Sequence, residues 1–101
     1  VANQAALAAV LASSSAEAKK WEGALRNNTG YSLHQLGRHE EARSYLEQAW
    51  ALLQDPELAS HLAEIYWTLG ERERARELLN TTLEKWPDSK PAQQTAARLL
   101  R

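Results

Sequence analysis

The chain has 101 residues and a formal net charge of -1, with 18 Ala and 16 Leu against two Val and one Ile, and no Cys, Met or Phe. Ala and Leu cost least in a helix and the β-branched residues that fill sheets are nearly missing, so an all-α fold is expected and sandwiches, barrels and parallel sheets are disfavoured. The near-zero charge gives no electrostatic reason to expect nucleic acid or an anionic membrane as partner, and without Cys there is no disulfide, zinc-thiolate site or thiol nucleophile.

No apolar run is long enough to span a bilayer, so membrane insertion is not expected. From the start, Ala5 to Ala12 reads as a short Ala-rich helix that ends at Ser13, Ser14 and Ser15. Its faint likeness to the apolar region of a secretion signal lacks a preceding Lys or Arg. Ser14 and Glu17 have capping-box spacing and open a second helix from about Ser15 to Leu36. Its apolar residues Ala18, Trp21, Leu25, Thr29, Leu33 and Leu36 share one side, and Gly23, which costs a helix up to about 1 kcal/mol relative to Ala, marks a point of kinking. A turn at Leu36-Gly37-Arg38-His39 leads to a helix striped by Ala42, Tyr45, Leu46, Ala49, Trp50 and Leu53, closed by Gln54-Asp55-Pro56.

The next helix carries Leu58, Ala59, Leu62, Ala63, Ile65, Tyr66 and Leu69 at helical spacing. A turn at Leu69-Gly70-Glu71-Arg72 follows, then a helix with Ala75, Leu78, Leu79, Thr82 and Leu83, closed by Trp86-Pro87-Asp88. Pro91 suits a first helical turn, and Ala92, Thr95, Ala96, Leu99 and Leu100 form the last stripe. An offset of 33 residues superimposes Leu36, Gly37, Ala42 and Leu46 on Leu69, Gly70, Ala75 and Leu79. The chain therefore reads as one domain, with a leading helix and cap over 1–22, repeats over 23–55 and 56–89, and a capping helix over 90–101 that covers the apolar end of the stack.

The second unit places Ala59, Leu62, Ala63, Tyr66, Ala75, Leu79 and Pro87 where tetratricopeptide repeats place W, L, G, Y, A, F and P, and it resembles that family. The first unit matches at Gly30, Leu33, Gly37, Ala42, Leu46 and Ala49 and departs at Arg26, Thr29 and Gln54; Leu25 and Trp21 are expected to supply the missing bulk. The resemblance implies helix-turn-helix pairs in a right-handed superhelix, with Ala42, Ala49, Ala59, Ala63, Ala75 and Gly30 where helices cross closely. It also implies a non-enzymatic adaptor that binds a protein or peptide in a groove lined by the first helix of each pair; the alternative is a structural spacer or self-association segment of a longer repeat protein. The runs Asn28 to Leu46 and Asp55 to Trp67 also look like the C-terminal repeats of envelope-associated tetratricopeptide proteins of Gram-negative bacteria. That narrower likeness implies a periplasmic or envelope location and otherwise a cytoplasmic one.

No phosphate-binding loop, nucleophile elbow or metalloprotease motif occurs, so neither catalysis nor a cofactor is expected. His34 and His61 lack a third ligand, so no metal is expected either. Residues of the groove-lining helices that fall off the core stripe are Asn27, Asn28, Tyr31, His34 and Gln35 in the first unit. In the second they are Glu57, Ser60, His61, Glu64, Trp67 and Thr68, extended by Gln94 and Arg98 from the last helix. Tyr31 and Trp67 are the expected anchors, because large amphipathic rings dominate binding once desolvated. Some family members clamp a chaperone's C-terminal carboxylate with Lys, Asn and Arg. Here Asn28 matches one such position, but Ala24, Asn27 and Tyr31 stand at others and no basic residue precedes Arg98 on these faces, so an acidic C-terminal peptide is expected to bind poorly.

Overall fold

The computed structural model describes the backbone of residues 4–100 and the side chains of residues 15–100. It contains α1 (Gln4–Gln35), α2 (His39–Leu52), α3 (Pro56–Thr68), α4 (Arg72–Lys85) and α5 (Lys90–Leu99), with no strand among the described residues. The expected all-α architecture is therefore present. Gly37 and Gly70 sit at φ +83° and +86°, the left-handed conformation that ends a helix without a Cβ penalty. In both turns the residue after the glycine donates its N–H five residues back, Arg38 to the Leu33 carbonyl (2.9 Å) and Glu71 to the Tyr66 carbonyl (2.8 Å). The two helical pairs are thus closed by one turn design.

The other two connections end in caps. The Asp55 carboxylate accepts from the N–H groups of Glu57 (2.8 Å) and Leu58 (3.3 Å), and Pro56 occupies the first turn, where its missing N–H costs nothing. Ser89 Oγ accepts from the Ala92 N–H (3.3 Å) ahead of Pro91 in the same way.

In α1 the structure corrects the sequence reading in three places. The helix runs unbroken through Ser13 to Ser15, so no separate leading helix ends there, and Ser14 and Glu17 lie in its interior rather than forming a capping box. Serine lowers helix propensity only modestly, and with no Pro or positive-φ Gly at hand the chain has nothing to stop it. Gly23 does not interrupt the helix either: a Cβ there would lie 2.7 Å from Leu53 Cβ, so this glycine permits close approach to the end of α2. Finally, much of the stripe assigned to the core faces water, with Trp21 72%, Leu25 66% and Leu36 74% exposed, while Leu33 does pack against the core; Trp21 and Leu25 therefore do not supply the bulk missing at Arg26 and Thr29. The packed face of α1 instead carries Gly23 and Gly30, because α2 approaches too closely for larger side chains.

At about 1.5 Å per residue α1 is about 48 Å long and α2 about 21 Å. The first helix therefore overhangs its partner, and all of residues 15–22 are exposed. Elsewhere the sequence stripes become the core: Ala42, Leu46, Leu62, Ala63, Ile65, Tyr66, Ala75 and Leu79 form one buried cluster, flanked by Leu33, Trp50, Trp67, Leu69, Leu78, Ala96, Leu99 and Leu100. Tyr45, read as part of the α2 stripe, is 36% exposed and stands outside it. The alanines expected at close crossings, Ala42, Ala49, Ala59, Ala63 and Ala75, are all fully buried.

Candidate functional site

Helices α1, α3 and α5 pack in a row, α1 against α3 and α3 against α5; α2 packs on both α1 and α3 and α4 on both α3 and α5, while α2 and α4 share no backbone contact with one another among the described residues. Two cavities lie among these helices. The first, of about 410 Å³, lies across the row α1-α3-α5. Its wall takes Tyr31 from α1, then Glu57, Ser60, His61 and Glu64 from α3, and Gln94, Thr95 and Arg98 from α5 beside Pro91. Seven of the residues named from the sequence thus come together, Gln94 among them.

His61 organises this wall. Its ring stacks on Tyr31 with centroids 3.9 Å apart and planes 19° from parallel. Its Nδ1 lies 3.0 Å from Asn27 Oδ1, an acceptor, so that nitrogen carries the proton and donates. Burial pushes the His61 imidazole below the ordinary value of 6.5, against the opposing pull of Glu57, Glu64 and Asp55. Half-buried Glu64 pairs with Arg98 at 3.2 Å. Ser60 is buried and its hydroxyl is committed to the Pro56 carbonyl (2.7 Å), so it shapes the wall without offering a free donor.

The remaining candidates lie elsewhere. His34 Nδ1 and His39 Nδ1 are 2.8 Å apart across the Gly37 turn, so one ring donates and the other accepts. Burial lowers the His34 pKa, Glu64 opposes that, and His39 and His61 add to it. Trp67 packs on the core beneath the Arg72 guanidinium, 4.8 Å from its ring centroid, and does not line the cavity. Gln35 and Asn28 are exposed outside it, as is Thr68, whose hydroxyl donates to the Glu64 carbonyl at 2.9 Å. Among the described residues no three His, Asp or Glu side chains are grouped as metal ligands.

These imidazoles make stability pH-dependent. A folded-state pKa below 6.5 means that the unfolded chain takes up protons first, so their contribution is complete above about pH 6.5 and is lost as the pH falls through the folded-state values. The Tm at pH 5 is expected to lie below that at pH 7.5, and the difference to shrink when His34 and His61 are both replaced by Gln. Equal differences in the two proteins would refute this.

The second cavity, about 600 Å³, fills the gap between α2 and α4. Trp50, Tyr66, Leu78 and Trp86 wall it, with Arg74, Glu77 and Lys85 among its polar residues. Ion pairs bridge the gap in place of packed side chains: Glu47 accepts from the Tyr66 hydroxyl (2.7 Å) and faces Arg74 (3.5 Å), and Arg43 reaches Glu71. Burial, reinforced by the bond to Glu47, drives the Tyr66 pKa far above that of a free phenol. Trp50 and Tyr66 belong to the core as the sequence implies and also wall this cavity; no local signal reports that α2 and α4 stand apart.

Two helical pairs joined by positive-φ glycine turns, with their first helices in a row, are the architecture that the spacing of residues implied. A family model described as tetratricopeptide repeat matches residues 33–100. The chain belongs to the tetratricopeptide repeat family. The matched stretch begins at Leu33, near the end of α1, and covers α2 to α5. Most of α1, where Arg26 and Thr29 depart from the repeat pattern, lies outside it. No curated protein and no solved structure matches the chain. Tetratricopeptide repeats are in general protein-protein interaction modules, and no described helix here is long and apolar enough to cross a membrane.

Proposed function

We propose that this chain is a non-enzymatic adaptor that binds a peptide or helix of a partner in the concave groove formed by α1, α3 and α5, within a domain of two units, 23–55 and 56–89, capped by 90–101. The observation that carries the reading is the Tyr31–His61 stack, half open to solvent in a wall shared with the carboxylates of Glu57 and Glu64. A stacked ring pair offers a partner apolar area at low entropic cost, and hydrogen bonds with Asn27, His61 and Glu64 fix its register. Trp67 serves as a support behind α3 and Tyr31 as the anchor.

Tyr31→Ala tests this in a pull-down from cell extract. A protein captured by the parent chain is expected to be lost, a drop of about 30-fold or more in affinity for a central aromatic anchor, while helical circular dichroism stays unchanged. Undiminished capture would move the site away from this groove.

A second reading, a spacer or self-association segment of a longer repeat protein, is favoured by the uncovered α1 stripe of Ala18, Trp21 and Leu25. Sedimentation at several concentrations separates the two. A monomer that captures a partner supports the adaptor, and a dimer that dissociates in Trp21→Ser supports self-association.

A further inference from the structure

We infer that the occupant of the α1-α3-α5 groove is a basic segment, one whose arginine guanidinium packs against the Tyr31–His61 stack and pairs with Glu64 and Glu57. The inference rests on the groove reading above and adds the partner's chemistry to it.

The charges around the cavity carry the argument. Its wall holds two carboxylates, Glu57 and Glu64, and one cation, Arg98. Asp55 stands close enough to act on His61 as well, so the local field is negative although the whole chain is nearly neutral. A preference for basic segments would therefore come from this site and not from a general attraction.

The groove already holds a guanidinium of its own. Arg98 reaches Glu64 at 3.2 Å from the last turn of α5, with its side chain 53% exposed where that of Glu64 is 19% exposed. The acceptor is thus the sheltered member of the pair and the donor the exposed one, an arrangement in which an incoming arginine replaces Arg98 without stranding a buried charge. Glu57 has no ion-pair partner among the described residues and is free to take the second fork of a guanidinium or a neighbouring lysine.

The stacked rings complete the site. A guanidinium stacks on an aromatic face, and Tyr31 and His61, which lie face to face, each keep one outer face not covered by the other. The proton on His61 Nδ1 is directed at Asn27, and burial favours the neutral ring, so the ring pair does not repel a cation near pH 7. A volume of about 410 Å³ falls at the small end of ligand sites, suited to one long side chain and its flanking backbone.

The test uses a short fluorescein-labelled peptide carrying two arginines, and versions with both replaced by glutamine or by glutamate, read by fluorescence anisotropy on the full chain. Saturable binding is expected for the arginine peptide, weaker binding for the glutamine peptide and none for the glutamate peptide. Loss of one charge-assisted pair in Glu64→Gln should weaken the arginine peptide about tenfold. Glu57→Gln, at an exposed position, should weaken it severalfold and serves as the test if Glu64→Gln does not fold. Arg98→Ala should tighten binding severalfold by releasing Glu64.

The inference is overturned if the arginine peptide shows no saturable binding, or if its affinity is the same as that of the glutamine peptide or is unmoved by Glu64→Gln and Glu57→Gln. If the glutamine or glutamate peptide then binds and Tyr31→Ala abolishes it, the groove stands and only the basic occupant falls. Should every peptide that binds be indifferent to Tyr31→Ala, the groove reading falls as well.

Discussion

Leu46→Ala is expected to lower the unfolding free energy by about 2–5 kcal/mol, a large part of the roughly 5–15 kcal/mol available to a chain of this size. Leu46 is fully buried at the centre of the cluster that joins the two helical pairs, with Ala42 one turn before it and the backbone of Gly30 across from it. Truncation removes apolar area and leaves a void, and the neighbours on α1 are too small to fill it, Gly30 having no side chain to move. In urea the midpoint should fall with little change in slope. Leu36→Ala, at a position 74% exposed, provides the comparison and should stay within about 0.5 kcal/mol of the parent. Equal costs at the two positions would show that the α1-α2 contact does not hold the domain together.

Gly30→Val is the second large effect, in the opposite steric sense. A Cβ at Gly30 would stand 3.0 Å from both Cγ and Cδ2 of Leu46 and 3.2 Å from the Ala42 carbonyl oxygen. The carbonyl belongs to a helix backbone and Leu46 has no free volume into which to swing, so the helices must separate. Gly30→Ala sets a gain of up to about 1 kcal/mol in helix propensity against this clash, whereas valine adds two γ-carbons and loses most of that gain. The expected cost for valine is about 3 kcal/mol, the upper part of the range for overpacked cores. Thermal unfolding should rank parent, alanine and valine in descending order. A valine variant as stable as the parent would mean that α1 and α2 are spaced more widely than this packing implies.

The two effects have one cause, the close crossing of α1 and α2. That crossing also explains why the first helix was harder to read than the others. In α3 and α4 the residues that pack are large and regularly spaced, so the stripes Leu58 to Leu69 and Ala75 to Leu83 identify the core directly. In α1 the fully buried residues are Gly23 and Gly30, which carry no hydrophobic signal; of the visible stripe only Leu33 packs on the core, and Trp21, Leu25 and Leu36 lie on the uncovered side. Apolar periodicity reports that a helix has two faces. It identifies the buried one only when the partner buries bulk.

The candidate site divides in a similar way. Tyr31, Glu57, Ser60, His61, Glu64, Gln94 and Arg98 could be named from the sequence because positions off the core stripe of the first helices point to one side of the stack, and they do share one cavity. The stacking of Tyr31 on His61, the proton held toward Asn27 and the Glu64–Arg98 pair join residues about 30 positions apart or more, and local patterning carries no information on such pairings. Trp67 shows the reverse: its position near the groove-facing side of α3 suggested an anchor, and the neighbouring core takes it instead.

By itself the sequence determined the helical class, the two glycine turns and the family, because each follows from local propensity and from spacing along the chain. The tertiary structure alone decided which face of α1 is buried and that α2 and α4 stand apart over a second cavity. Those outcomes depend on how closely helices distant in sequence approach one another, and that distance is set by the smallest residues at each crossing, the ones whose hydrophobic signal is weakest.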